Sequence, residues 1–399
     1  MRPTAAQPFA LLPVALLCAA TLAGCSSTPT RSASSSADTA TSSASPATGG
    51  SEAGAGDPRV DAALQQLDAE ARIRQLFVAG VPLEDLGRGE AIATSGVGGM
   101  FLHGRTTAPV EELAATTGGW QEAAAGPGLW VAADQEGGLV QTLKGPGFDV
   151  LPTAVEQGRL PADGLAALAD ELGAAMSAAG LNVNLAPVAD VVPAGSEPGN
   201  EPIGAVDRQY GSTAAEVARA AAAVADGLAA HDVVPTLKHF PGLGRVQQNT
   251  DTSSDVVDPA TGRADEQVTA FADALSRTAE DPFVMMSSAT YPQLDPANQA
   301  AFSQPVVTGL LREELGFDGV VISDDLANAE AVEGIPPGER AIRFLAAGGT
   351  LVLSVDGTLV PEMVEAVAAR SERDPAFAAV VEDAVRTALT AKAEAGLLG

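Results

Sequence analysis

The chain has 399 residues, 46% of them hydrophobic, and a formal net charge of −29 at pH 7. Acid in that excess argues against nucleic acid and anionic lipid surfaces as partners, because both would repel it. The length suffices for one large α/β core or two smaller domains.

In chain order, Met1 and Arg2 give a short positive start, and residues 9–23 are apolar. That stretch is too short to span a membrane and no stop-transfer pattern follows it. It ends in Leu22-Ala23-Gly24-Cys25, which resembles a bacterial lipobox. The resemblance implies cleavage after residue 24 and a lipid on Cys25. Cys18 would leave with the signal, so the mature chain keeps one cysteine and no intramolecular disulfide. Residues 26–57 are rich in Ser, Thr, Ala, Gly and Pro and cannot bury a core, so they read as a flexible tether. Residues 58–399 then form the folded domain. The expected location is extracytoplasmic, with the lipid as the only membrane contact, and the expected state is a monomer.

The domain alternates short apolar runs with Ala-rich stretches. Residues 59–78 carry a helical period (Val60, Leu64, Leu67, Ile73, Leu76, Phe77). Strands are expected over 97–102, 128–134, 181–190, 233–238, 282–287, 319–324 and 350–354. Helices are expected over 111–125, 163–179, 214–231, 264–278, 304–315 and 337–347, and two more, 359–370 and 377–395, close the chain. Near-continuous apolar strands alternating with helices mean a parallel sheet covered on both faces. Seven such strands come close to the eight of a single TIM-type (β/α)8 barrel; a doubly wound open sheet is the alternative. No Gly-rich dinucleotide turn follows any strand, which weighs against a nucleotide cofactor.

Polar residues fall at the strand ends: Asp134, Asp190, Lys238, His239, Ser287 and Asp324. In a barrel those ends converge on one mouth. Lys238 and His239 are adjacent in a chain with only three histidines, and a loop with Pro241, Gly242, Asn249 and Asp251 follows them. The run Val321-Ile-Ser-Asp-Asp-Leu326 ends in two acids, and alternation turns one of them inward. An inward acid needs partners or a task, and Lys238 and His239 are suited to keep it ionised. The other acid would cap the turn that follows. Asp134 sits before Gly137-Gly138, where a carboxylate suits sugar hydroxyls; Arg208 lies in a loop with Tyr210. Asp251 supplies a second carboxylate near Asp324, and two carboxylates across one bond are the minimal apparatus for glycoside hydrolysis. There is no Gly-x-Ser-x-Gly elbow, and three scattered histidines make no zinc site, so neither metal nor cofactor is expected.

These residues resemble glycoside hydrolase family 3, and most of all its single-domain bacterial β-N-acetylglucosaminidase branch. The matching segments are Asp134-Gln-Glu-Gly-Gly138, Leu185-Ala-Pro-Val-Ala-Asp190, Arg208-Gln-Tyr210, Lys238-His-Phe-Pro-Gly242 and Leu315 to Leu326. The resemblance implies a TIM-type barrel, a carbohydrate substrate and a retaining mechanism. It implies Asp324 as nucleophile, with Asp134, Arg208, Lys238 and His239 holding the terminal sugar. The chain also departs from the branch pattern. Leu243 stands where the loop's first His belongs, and Asn249-Thr250-Asp251 stands where Asp-Ser-His does. Asp251 thus replaces the acid/base histidine, and Leu243, Val246 and Asn249 are expected to form an apolar lid that raises its pKa. Leu139 and Thr142 replace two arginines.

Three functions compete. The first is a retaining exo-β-glycosidase, a β-N-acetylhexosaminidase acting on cell-wall-derived or other β-linked glycosides. The second is a non-catalytic sugar-binding lipoprotein on the same fold. The third, a phosphorylase, ranks lowest because Asp251 would repel phosphate.

Overall fold

The computed structural model describes residues 57–398. Cys25, the apolar segment before it and nearly all of the expected tether lie outside the described residues. The described residues fall within one compact unit, Gly54–Gly399.

Eight parallel strands form one sheet: β1 Phe77–Pro82, β2 Gly99–His103, β3 Trp130–Ala133, β4 Val183–Asn184, β5 Val234–Phe240, β6 Phe283–Met286, β7 Val321–Ser323 and β8 Val352–Ser354. Their spatial order is β7-β6-β5-β4-β3-β2-β1-β8. The two ends meet through a parallel bridge between Ile322 and Leu351, with the Ser323 amide donating to the Leu351 carbonyl at 2.9 Å. Closure leaves no sheet edge to pair with another chain. The TIM-type barrel is therefore the observed fold, and the open-sheet alternative falls.

Two differences from the expected elements have physical causes. The helical period over 59–78 covers two short helices, Pro58–Gln66 and Ala69–Arg74, and then the start of β1. Leu76, Phe77 and Val78 are all buried, and the polar residues before them, Arg74 and Gln75, come with no Gly or Pro to separate the helix from this inner strand. That is the eighth strand. The run 181–190 is a regular strand only at Val183–Asn184; beyond it the chain stays beside β5 through an isolated parallel bridge, Val188 to Lys238, and the Ala189 amide donates to the Lys238 carbonyl at 2.6 Å just before Asp190. The run 304–315 winds as a π-helix, Pro305–Glu314.

Most strands are followed by a helix that covers the sheet, and side chains signal where several begin. Thr153 and Glu156 cap Ala154–Gly158 reciprocally. Thr213 caps Ala214–Ala229 and Asp265 caps Glu266–Leu275. The barrel interior is filled, not hollow: Trp130 of β3 meets Phe283 of β6 edge-on at 5.3 Å between ring centroids. The last helix, Pro375–Glu394, carries Lys392 into the core, where its ammonium donates to Gln75 Oε1 at 2.7 Å. Burial pulls that lysine's pKa down to about 7. Among the described residues no helix is long and apolar enough to cross a membrane.

Candidate active site

β7 delivers Ser323 to the barrel mouth, and the two acids behind it part company. Asp325 turns to backbone: its oxygens accept from the amides of Ala327 and Asn328, both at 2.8 Å, and of Val355 at 2.9 Å. That staples the loop after β7 to the loop after β8. Arg340, 5% exposed, holds the same loop from beneath through the carbonyls of Leu326 and Ala327. Asp324 is left facing a cavity of about 380 Å³, whose wall also includes Asp134, Arg208, Lys238, His239 and Asp251. Five separate segments thus bring the six expected residues to one space.

β5 carries Lys238 and His239 just before its last residue, Phe240, and both line the cavity. The Lys238 ammonium lies 2.6 Å from Asp134 and 2.6 Å from Glu136. The His239 ring nitrogen Nδ1 lies 2.8 Å from Asp190 Oδ2. Asp190 is fully buried and also accepts from the amides of His239 and Leu243, at 3.1 and 2.7 Å. One carboxylate therefore orients the imidazole and starts the loop that leads to Asp251. Gly242 makes the turn between them at φ +133°, a backbone that favours glycine.

Glu136 sits in a hairpin, Gln135–Gly137 against Val140–Gln141, just past β3. Gly137 follows at φ +114°, and a Cβ there would stand 2.2 Å from the Pro152 carbonyl oxygen. The tight turn aims Glu136 inward. Arg208 grips it with two hydrogen bonds, Nε at 2.9 Å and Nη2 at 2.7 Å, and donates a third to the Pro202 carbonyl. Burial alone would push the Glu136 carboxyl up, but Arg208 and Lys238 beside it bring it down to about 2. Burial lowers Lys238, and Asp134 and Glu136 more than restore it, so it stays charged above its ordinary range. Two cations and two carboxylates balance at one end of the cavity.

Asp324 faces the other way electrostatically. Burial pushes its carboxyl above the usual aspartate range; His239 pulls it down and Asp251 pushes it up again. Its Oδ1 accepts from the Asp325 amide at 2.8 Å.

Two expectations are corrected. Asp251 is exposed, not covered by an apolar lid: Leu243 and Val246 are buried, and Asn249 instead accepts from the Asp251 amide at 3.0 Å. The loop docks through backbone, with the Glu330 and Ala331 amides donating to the carbonyls of Asp251 and Thr250. Burial raises the carboxyl of Asp324. Ser287 is at a strand end but does not reach the cavity; its hydroxyl meets the Ala289 amide and the Tyr291 hydroxyl, both at 3.0 Å.

Sequence reasoning missed Glu136 as a site residue, and it put Asp190 at the mouth without giving it a task. Glu136 is two residues from Asp134, the spacing that puts side chains on one face of an extended segment, so a signal was there. The Glu136–Arg208 pair spans 72 residues and leaves no local trace. No group of three His, Cys, Asp or Glu suited to a metal occurs among the described residues.

A cluster of fixed donors and acceptors beside a carboxylate suits a ligand rich in hydroxyls. Comparison with known proteins points the same way. A β-N-acetylhexosaminidase structure from Beutenbergia cavernae superposes with a TM-score of 0.79 at 44% identity, covering 82% of this chain and 99% of that one. A family 3 β-N-acetylglucosaminidase from a Paenibacillus species gives a TM-score of 0.73 at 28% identity, over 83% of this chain and 63% of that one. A β-hexosaminidase from Stenotrophomonas maltophilia is 34% identical over 290 residues, which is 69% of this chain and 81% of the relative. The family model for the glycosyl hydrolase family 3 N-terminal domain matches residues 68–390. This chain therefore belongs to glycosyl hydrolase family 3.

Proposed function

We propose that this glycoside hydrolase is a retaining exo-β-glycosidase that removes terminal β-linked N-acetylhexosamine. The observation that carries the reading is the position of Asp324: at the end of β7, on one cavity wall with Asp134, Arg208, Lys238 and His239. The names of the relatives support the sugar.

In this reading Asp134, Lys238, Arg208 and His239 hold the hydroxyls of the terminal sugar. Glu136 keeps Arg208 and Lys238 in place. An Asp324 oxygen attacks the anomeric carbon while the glycosidic C–O bond breaks, and Asp251 gives its proton to the departing oxygen. Asp251 then takes a proton from water, the water oxygen attacks the same carbon, and Asp324 is released. Burial raises the Asp324 carboxyl, and His239 and Lys238 oppose that rise and so favour the ionised nucleophile. Asp251 enters on an exposed loop, as a group that must meet solvent water in the second step.

The competing reading, a sugar-binding lipoprotein without catalysis, draws on the missing acid/base histidine. The two separate on one experiment. A 2-fluoro glycosyl donor with a good leaving group should leave its mass on the peptide containing Asp324, and Asp324→Asn should abolish the adduct. No adduct, together with no turnover across a panel of nitrophenyl β-glycosides, would leave only the binder. Export and lipid anchoring at Cys25 belong to the same proposal, and so does a monomeric state. A Cys25→Ala chain should move from the membrane fraction to the soluble one.

A further inference from the structure

Two loops from neighbouring strands bring opposite charges to the cavity. The segment after β4 carries Arg208, and the loop after β5 carries Asp251. One buried side chain joins them. Asn200 is 2% exposed and does not line the cavity. Its Nδ2 donates to the Leu243 and Val246 carbonyls, both at 2.7 Å, and its Oδ1 accepts from the Gly204 amide, also at 2.7 Å. An asparagine side chain has two N–H donors and one carbonyl, so both donors and the acceptor go into this one junction.

Both sides of the junction lead to site residues. On the β4 side, the Ala205 amide donates to the Asn200 carbonyl at 2.9 Å, and the Arg208 amide donates to the Ile203 carbonyl at 3.0 Å. The Arg208 guanidinium reaches back to the Pro202 carbonyl at 2.7 Å. The turn that Asn200 closes is therefore the turn that aims Arg208. On the β5 side, Leu243 is held at both ends: Asp190 accepts from its amide and Asn200 donates to its carbonyl. The Glu201 amide extends the tie to the Gln247 carbonyl at 3.2 Å, on the way to Asp251. Leu243 and Val246 are buried, and a buried carbonyl left unpaired is costly. Removing the Asn200 amide leaves two such carbonyls and one backbone amide unmet at once.

We infer that Asn200 is a positioning residue for this active site. It couples the segment that holds the terminal sugar through Arg208 to the loop that presents Asp251, so that the two keep one fixed relation. The inference rests on the roles given above to Arg208 and Asp251; the clamp itself is a matter of geometry. Asn200 meets neither substrate nor reacting atoms. It acts through backbone, and misplacing a catalytic group by about 1 Å costs on the order of a hundredfold in rate. Its loss should therefore show twice, as a weaker hold on the sugar and as lost help to the leaving group.

The test uses the full chain with Asn200→Ala, assayed on a nitrophenyl β-N-acetylglucosaminide and on the β-1,4-linked N-acetylglucosamine disaccharide, whose leaving group needs a proton. KM for the nitrophenyl glycoside should rise about tenfold, the weight of one hydrogen bond to a charged group. Turnover of the disaccharide should fall at least about tenfold more than that of the nitrophenyl glycoside. Asp251→Asn should give the second effect without the first. Leu389→Ala, a core truncation in the last helix, should lower the melting temperature and give neither. Hydrogen exchange in Asn200→Ala should quicken in both peptides, 201–210 and 243–251. Should that chain fail to fold, Asn200→Ser, which keeps one hydroxyl donor, takes the same assays. Exchange that quickens in one peptide alone, kinetics at native values, or equal effects from Leu389→Ala overturn the coupling. If Asp251→Asn leaves the ratio of the two substrates unchanged, the acid/base role of Asp251 falls instead, and KM together with hydrogen exchange decides the clamp.

Discussion

Glu136→Gln removes one negative charge and almost no volume from the centre of the site. The native carboxyl titrates at about 2 against an ordinary value of 4.5. Each unit is worth about 1.4 kcal/mol, so ionised Glu136 contributes about 3 kcal/mol to stability at neutral pH. Breaking a buried ion pair from one side costs a similar amount, about 3–5 kcal/mol. Asp134 stays on Lys238 and holds the loss toward the lower figure. The sign follows from the depressed folded pKa. The contribution is fully present above the unfolded value and is lost as pH falls through the folded one. Urea unfolding at pH 7 should therefore show the variant about 3 kcal/mol less stable, with the midpoint shifted and the slope unchanged. The gap should narrow below about pH 4.5, by roughly 1.4 kcal/mol per pH unit. A variant within about 0.5 kcal/mol of the native chain at pH 7 would refute the electrostatic account. A gap that stayed constant with pH would refute it too.

Asp324→Asn should lower kcat/KM by about a thousandfold or more with little change in thermal stability, read by nitrophenyl glycoside kinetics and a melting curve. Asp251→Asn should cut turnover of an unactivated glycoside by about a hundredfold or more, and of a nitrophenyl glycoside less, because the latter departs without a proton. The same change removes a like charge that raises Asp324, so the acid limb of kcat/KM should move to lower pH. An unmoved limb would separate the two carboxylates. Lys392→Met should stabilise the chain at pH 7 by about 2 kcal/mol, the relieved burial of a charge less the lost bond to Gln75. The unfolded chain keeps that lysine's proton between about pH 7 and 10.5 while the folded one gives it up. Native stability therefore rises with pH through that window, and the advantage of the variant should fade across it.

The sequence by itself determined a parallel sheet alternating with helices and the address of its site; closure into a barrel, which the family resemblance implied, was decided by the tertiary structure. Strands such as 233–238 and 319–324 are apolar until their last residues, because a parallel sheet buried on both faces tolerates charge only where it opens. That local rule names Lys238, His239, Asp134 and Asp324 without any tertiary information. It fails where the signal is not local. Phe77 continued a helical period into a strand, and no glycine or proline marked the change. Glu136 and Arg208 lie 72 residues apart, and only closure of the barrel brings the acid between two cations and makes it the strongest of the site's electrostatic anchors. The exposure of Asp251 was likewise decided by tertiary structure: apolar neighbours in the chain can turn to the core and leave the acid outside. Periodicity and charge report what each segment must bury. Which distant partners share that burial is settled only when the ends of the sheet meet.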